Sequence, residues 1–154
     1  MSQVETTAEV LNDLVKINND RIEGYNRAIN ELHDLDIDLK AEFRHFIADS
    51  EKYKQELSSL ISALGSDVAS GTTMSGKIYR AWMDVKATFT GGDRKSVIAA
   101  CEFGEDAAQK AYKTALEMSG ELTPEAVNLV NEQQQALKKA HDMVKAQRDS
   151  HKSV

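Results

Sequence analysis

Polar side chains that could do chemistry interrupt the apolar face of each long helix that the sequence predicts. Apolar residues recur at steps of three and four, which is typical of amphipathic helices. Near the midpoint of each helix a polar residue replaces an apolar one, and in an antiparallel bundle these positions would meet at one height. This predicted mid-core polar layer consists of Asn18, Arg21, Tyr25, Ser50, Glu105, Tyr112 and Gln133.

The charged members of the mid-core polar layer predict an ion pair. A buried carboxylate or guanidinium is costly unless it is paired, so we expect Arg21 to pair with Glu105, with the amides and hydroxyls completing the hydrogen bonds. Such a layer can fix the register of the helices. Alternatively, it can form a small buried site for a metal or ligand. The structural role is the main interpretation.

Several acidic residues and histidines could act as metal ligands. Ferritin-like oxidases hold two iron ions with a Glu from each of two helices and a Glu-x-x-His pair from each of the others. Glu42 and His45 have this spacing, but they lie about 60° and 120° from the centre of the apolar face. The candidate ligands are Glu105, His141, Glu42, His45 and Glu23. The fixed charge of Arg21 would repel a metal. We therefore predict no catalytic residue and no cofactor, with iron or another divalent metal as the alternative.

Five helices must position these residues. The residues that predict helix ends are Thr6 with Glu9, Gly65, Asp93, and Thr123 with Pro124. The pattern predicts helices at about 7–33, 38–64, 76–89, 94–119 and 124–149. The tail from Asp149 to Val154 is expected to fray.

The lengths of the helices and connections predict the architecture. Four helices of about 25 residues would each be about 37 Å long. Short first and last connections make two antiparallel pairs, and the segment 65–92 is long enough to run the length of the bundle. The chain is therefore predicted to be all-α: a ferritin-like four-helix bundle in one domain, residues 1–154, with a short crossover helix. An up-down bundle with the extra helix across one end is the alternative.

Composition narrows the class of protein. The chain has 154 residues, a net charge of −6, eight Gly and one Pro. The negative charge argues against a dedicated binder of nucleic acid or anionic membrane. We expect a cytoplasmic protein, because no signal peptide is recognisable and no apolar run approaches the roughly 18 residues that span a bilayer. The single Cys101 lies on an apolar face and is expected to act as a small hydrophobe.

The crossover segment carries much of the aromatic content in Tyr79, Trp82 and Phe89. Large aromatic side chains are usually mostly buried, so these rings are expected to cover the bundle. The alternative is a contact surface around Trp82 for a protein partner or a second copy of the chain.

Two groups of motifs carry a family resemblance. One runs from Tyr79 to Lys86 and continues from Ala100 to Asp106 and then to Tyr112. The other comprises Leu11 to Leu14 and Asn19 to Tyr25. Together they resemble the bacterial four-helix-bundle proteins of domain-of-unknown-function family 2383, within the ferritin-like superfamily. The resemblance covers roughly residues 8–144 and implies a ferritin-like bundle in a bacterial cytoplasm. It supplies no activity, because the family is named for lacking one. We therefore predict a non-enzymatic binding or structural protein, with a ferritin-like metal-binding protein or di-iron oxidase as the alternative.

Overall fold

The regular structure of the chain is helical throughout the part that is described. A computed structural model describes residues 2–66, 76–85 and 93–152, without the side chains of residues 85, 151 and 152. The helices are α1 (Gln3–Glu31), α2 (Ile37–Ala63), α3 (Lys77–Val85), α4 (Arg94–Glu117) and α5 (Pro124–Lys152), and a 3-10 turn spans Ser119–Glu121. The predicted all-α fold class is confirmed.

Neighbouring long helices run antiparallel. Helix α1 packs on α2 and α4, and α5 packs on α4 and α2. Asn18 of α1 contacts Tyr112 of α4, whereas Tyr25, two turns later on α1, contacts Glu105, two turns earlier on α4. Partners whose numbers rise on one helix and fall on the other belong to an antiparallel pair.

The connection between α2 and α4 crosses the length of the bundle. Arg94, at the start of α4, bonds to Asp36 and Asp38 at the start of α2, with distances of 2.8 Å to both carboxylates. Because α2 and α4 begin at the same end, the chain must return from the far end of α2 before α4 begins. This is the ferritin-like topology. The up-down alternative does not apply.

Capping residues explain where the helices begin. The hydroxyl of Ser2 accepts a hydrogen bond from the amide of Glu5 at 3.1 Å, so α1 begins at Gln3 and the predicted cap at Thr6 is wrong. Ser2 is itself a preferred N-cap residue, and the helix can therefore start before its apolar periodicity does. The prediction for Asp93 is confirmed, since its carboxylate accepts from the amide of Ser96 at 3.2 Å.

The predicted end of α2 at Gly65 and the predicted beginning of α5 at Pro124 are also present. Gly65 has a φ of +80°, and the amide of Ser66 donates to the carbonyl of Ile61 at 3.2 Å. This pair of features forms a helix stop in which glycine is favoured. Thr123 caps α5, whose first residue is Pro124.

Other predicted boundaries differ from the observed ones. Helix α4 ends at Glu117 because the chain tightens into the 3-10 turn, and α5 continues to Lys152, beyond the predicted end at 149. Residues 86–89 of the predicted crossover helix lie outside the described residues. None of the helices in the described ranges is long and apolar enough to cross a membrane.

The apolar core is divided into two clusters. The larger cluster includes Leu11, Leu14, Leu57, Val130 and Leu137. The smaller includes Tyr25, Phe43, Phe46, Ile98 and Val144. Most members of the mid-core polar layer lie between these clusters, where all four long helices meet.

Candidate functional site

An ion pair between α1 and α4 lies at the centre of the mid-core polar layer. Arg21 Nε donates to Glu105 Oε1 at 2.9 Å, and the hydroxyl of Tyr25 donates to the same oxygen. Only 6% of Arg21 and 2% of Glu105 are exposed. The burial makes the pair important, because removing one partner would leave an uncompensated charge in the core.

Helix α2 holds the other side of the guanidinium. Arg21 Nη1 donates to the hydroxyl of Ser50 at 2.7 Å and to the backbone carbonyl of Phe46 at 3.1 Å. The guanidinium also lies 5.2 Å from the ring centroid of Tyr25 and 5.5 Å from that of Phe46. Aromatic faces attract cations, so these two rings favour the charged form of Arg21.

A chain of hydrogen bonds extends from Ser50 across the bundle. Ser50 Oγ donates to Asn18 Oδ1 at 2.9 Å, and Asn18 Nδ2 donates to the hydroxyl of Tyr112 at 2.9 Å. Tyr112 in turn donates to Gln133 Oε1 at 2.7 Å. The structure therefore brings all seven residues of the mid-core polar layer into one connected network that joins α1, α2, α4 and α5.

Gln133 connects the network to the edge of α2. Its Nε2 atom donates to the backbone carbonyl of Tyr53 and to Glu56 Oε1, each at 3.2 Å. Sequence reasoning missed Glu56, because this half-buried residue lies beside the apolar face of α2 rather than within it. From Arg21 to Gln133, each group donates a hydrogen bond to the next, and Gln133 donates to Glu56. The series of hydrogen bonds therefore runs from a buried cation to a carboxylate at the edge of the bundle.

The environment fixes which groups of the mid-core polar layer carry charge. Burial lowers the pKa of Arg21, but the negative charge of Glu105 and the hydrogen bond to it outweigh this effect, so the net pKa is raised. Burial and Glu105 raise the pKa of Tyr25 well above its usual value. Burial likewise raises the pKa of Tyr112. At neutral pH the centre is therefore held by a charged guanidinium and neutral tyrosines.

The candidate metal ligands on α2 lie away from the centre of the core. His45 has 70% of its side chain exposed, and its Nε2 atom is 3.7 Å from Asp49 Oδ2. Glu42 is half-buried and accepts a hydrogen bond from Gln147 at 3.2 Å. Of the Glu-x-x-His pair, His45 thus lies at the surface and Glu42 lies between α2 and α5.

The other candidates are similarly dispersed. His141 hydrogen-bonds to Asp106 and Asp142 on the outer surface of α4 and α5, and Glu23 is exposed on α1. Only Glu105 lies in the mid-core polar layer. Within residues 2–66, 76–85 and 93–152, no group of three or more His, Cys, Asp or Glu is placed to hold a metal ion.

The centre of the bundle does not fit the di-iron site of ferritin-like oxidases. Such a site needs carboxylates on all four helices and two histidines. At this height α1 supplies Arg21, α2 supplies Ser50 and α5 supplies Gln133, so Glu105 is the carboxylate of the layer, and Glu56 lies at its edge. The Oε1 atom of Glu105 already accepts two hydrogen bonds. The donor set is that of an internal ion pair.

The aromatic residues of α3 pack onto the bundle. Trp82 is 5% exposed and belongs to the larger apolar cluster, and Tyr79 packs against the same cluster. The Trp82 ring is therefore a covering residue and is not available as the contact surface considered as the alternative. Phe89 lies outside the described residues.

Cys101 of α4 is also buried, which raises the pKa of its thiol and disfavours the reactive thiolate.

Comparisons with known proteins agree with this architecture. A family model described as a domain of unknown function (DUF2383) matches residues 6–118. A solved structure of Dps from Microbacterium arborescens in the high iron form is similar to this chain, with a TM-score of 0.78 and 15% identity. The alignment covers 95% of this chain and 94% of the other. No curated protein matches. At this identity the structural likeness shows the ferritin-like fold alone.

Proposed function

We propose that this chain, which belongs to the family described as a domain of unknown function (DUF2383), is a non-enzymatic ferritin-like bundle with a binding or structural role. The observation that carries the proposal is the hydrogen bond between Arg21 and Glu105 at the centre of the core. In this proposal the guanidinium supplies the positive charge that a metal ion supplies in ferritin-like oxidases.

Electrostatics supports the proposal. A metal ion beside Glu105 would face a guanidinium that is itself within hydrogen-bond distance of the same carboxylate, and like charges at such separations repel strongly in a low-dielectric core. The remaining polar groups of the layer are amides and hydroxyls that are already bonded to each other. A network of this kind favours one helix register over others.

The metal content of the purified protein tests the proposal. Protein prepared without a histidine tag or chelator is incubated anaerobically with ferrous iron, desalted and analysed by mass spectrometry, beside Glu105→Gln and Glu51→Gln. Glu105→Gln keeps the shape of the side chain, and Glu51→Gln removes one exposed charge from α2. We expect substoichiometric metal in all three proteins. About two ions per chain, lost in Glu105→Gln and retained in Glu51→Gln, would identify a metalloprotein instead.

A ferritin-like metal-binding protein or di-iron oxidase is the second candidate. It is favoured by the likeness to Dps, whose structure was solved in a high iron form. It is also favoured by the buried oxygens Glu42 Oε1, Glu102 Oε2 and Glu105 Oε2, which have no hydrogen-bond partner among the residues that the structure describes. The two candidates differ in the effect of Arg21→Ala on iron binding. The second predicts tighter binding once the guanidinium is removed, whereas the first predicts no stable iron site.

Assembly and location belong to the same proposal. A homo-oligomer is one form in which a structural protein of this fold would act, and light scattering after size-exclusion chromatography measures its mass. A mass near 17.1 kDa indicates a monomer, and a multiple of it indicates an oligomer. The net charge of −6 supports partners other than nucleic acid. A cytoplasmic location stays a prediction from the sequence.

A further inference from the structure

The crossover helix α3 is too short to be stable by itself. It has nine residues, Lys77–Val85, whereas isolated helices shorter than about 12–15 residues are marginal in water. Its neighbours in the fold are α1 and α4. The helical state of α3 therefore depends on the contacts that it makes with these two helices.

Asp13 of α1 binds the beginning of α3. This carboxylate is 2% exposed and accepts hydrogen bonds from the amides of Gly76 at 2.9 Å and Tyr79 at 3.1 Å. The first amides of a helix have no partner within the helix, and a negative charge there also interacts favourably with the helix dipole. Asp13 is thus an N-terminal cap supplied by another helix.

The close approach of Asp13 requires glycine at position 76. A Cβ atom built on Gly76 would lie closer to the carboxylates of Asp13 and Glu9 than real Cβ contacts allow. A side chain at this position would displace these carboxylates, and with them the hydrogen bonds of Asp13, or move α3 away from α1. The glycine therefore belongs to the same attachment as Asp13.

Asp20 holds the middle of α3. One of its carboxylate oxygens accepts hydrogen bonds from the hydroxyl of Tyr79 at 2.7 Å and from Trp82 Nε1 at 2.9 Å. The ammonium of Lys16 lies 5.5 Å from the centroid of the Tyr79 ring. Asp13 and Asp20 are seven positions apart on α1, or about 10 Å at 1.5 Å per residue. They therefore hold α3 along most of its length.

The apolar attachment of α3 is small. Among its described side chains, Ile78 and Trp82 are buried in the larger cluster, and Tyr79 packs against it. Each long helix contributes at least five buried apolar side chains to the core, together with residues of the mid-core polar layer. Segments with few buried apolar contacts open at lower free energy than the core elements around them.

We infer that α3 is a releasable strap: it can leave the α1–α4 face as a unit while the four long helices stay folded, and Asp13 and Asp20 keep it attached. This conformational step does not depend on the proposed function. It needs a small local opening, because the four long helices keep their contacts with one another. It would uncover the apolar surface that Ile78 and Trp82 now cover.

Trp82 reports this release directly, because it is the one Trp in the chain. Unfolding in urea is followed by the emission of Trp82, which senses the docking of α3, and by far-UV circular dichroism, which senses the whole helical bundle. We expect the fluorescence transition at lower urea than the dichroism transition. Coincident transitions in the wild-type protein would overturn the inference.

Two variants test the role of the carboxylates. Asp13→Asn and Asp20→Asn keep the side-chain shape but remove the charge, and Asp84→Asn removes an exposed charge from α3 itself. Loss of a charge-assisted hydrogen bond should raise the opening equilibrium of α3 about 10- to 100-fold. Hydrogen exchange of the α3 amides measures this change. We expect it in both test variants without a shift of the dichroism transition, and not in Asp84→Asn. Unchanged exchange, or equal shifts of both transitions, would overturn the inference.

Discussion

At the scale of single residues, the Arg21–Glu105 pair shows how a buried charge can be both costly and indispensable. Moving two charges from water into a core carries a large desolvation penalty, and the attraction between them repays only part of it. Once the pair is present, however, each partner requires the other. Here the guanidinium is further bound by Ser50 and the carbonyl of Phe46, so its removal would also leave α2 groups without their donor.

Removal of the guanidinium should therefore destabilise the fold strongly. Arg21→Ala leaves the carboxylate of Glu105 buried without its cation, and we expect the free energy of unfolding to fall by about 3–5 kcal/mol. Arg44→Ala is the control, because Arg44 is exposed on α2 and its loss should change stability by no more than about 0.5 kcal/mol. Urea unfolding of both variants measures the difference. Equal effects would show that the pair contributes little.

His141 should make stability depend on pH. Burial lowers the pKa of its ring, but hydrogen bonds to Asp142 and Asp106 and their negative charges outweigh this effect, so the net pKa is raised above 6.5. The folded protein thus holds the proton more tightly than the unfolded chain. The stabilising contribution is present below pH 6.5 and is lost as the pH rises through the folded pKa. It should not exceed about 1 kcal/mol, because the pair is partly exposed to solvent.

The pH prediction is checked by unfolding the wild type and His141→Gln in urea from pH 5.5 to 8.5. The stability difference between them should shrink as the pH rises, and Asp106→Asn should show part of the same loss. A difference that grows with pH would contradict the sign of the shift.

Sequence periodicity located the polar residues at the centre of the core but not the two carboxylates that bind α3. Asn18, Ser50 and Gln133 each replace an apolar residue in a regular series. The periodicity of a single helix is therefore enough to identify each of them. Asp13 and Asp20 lie beside that series. Their acceptor role arises from α3, which approaches α1 from a distant part of the chain, and periodicity within α1 contains no sign of it.

At the scale of helices, the ends follow from residues with specific backbone or capping properties. Gly65 adopts a positive φ after α2, whereas Gly24 lies inside α1, and beyond the adjacent backbone of α1 no described atom lies within 4 Å of its Cβ position. Glycine therefore has opposite effects at the two positions. Position 65 needs the conformational freedom of glycine, whereas position 24 only incurs its entropic cost.

Alanine at these two glycines should change stability in opposite directions. Gly65→Ala forces a Cβ atom into the left-handed region and should lower the free energy of unfolding by about 1–2 kcal/mol. Gly24→Ala should raise it by about 0.5–1 kcal/mol, because alanine loses less conformational entropy in a helix and meets no neighbouring atom here. Thermal and urea unfolding provide the comparison. A loss of stability in Gly24→Ala would mean that α1 needs glycine at that position.

At the scale of the whole molecule, the topology could be predicted because connection lengths constrain which helices are neighbours. A turn of a few residues places α1 beside α2, and the long segment before α4 allows a return along the bundle. Whether the mid-core polar layer is a site or a register device could not be predicted in this way. That choice depends on how the groups from four helices satisfy one another, which only the three-dimensional arrangement contains.

An apolar centre should separate the stability of the bundle from the uniqueness of its packing. In a triple variant, Arg21→Met, Glu105→Leu and Tyr25→Phe, the ion pair and the hydroxyl that donates to it are replaced together by apolar groups of similar size. The carbonyl of Phe46 and the hydroxyl of Ser50 lose a donor, but Ser50 keeps its bond to Asn18 and no charge is left unpaired. We therefore expect the free energy of unfolding to equal or exceed that of the wild type. If the layer fixes helix register, the amide signals of residues in both apolar clusters should broaden or multiply in the NMR spectrum. A more stable variant with one sharp set of signals would show that apolar packing alone specifies the register and would leave the polar centre free for a different role.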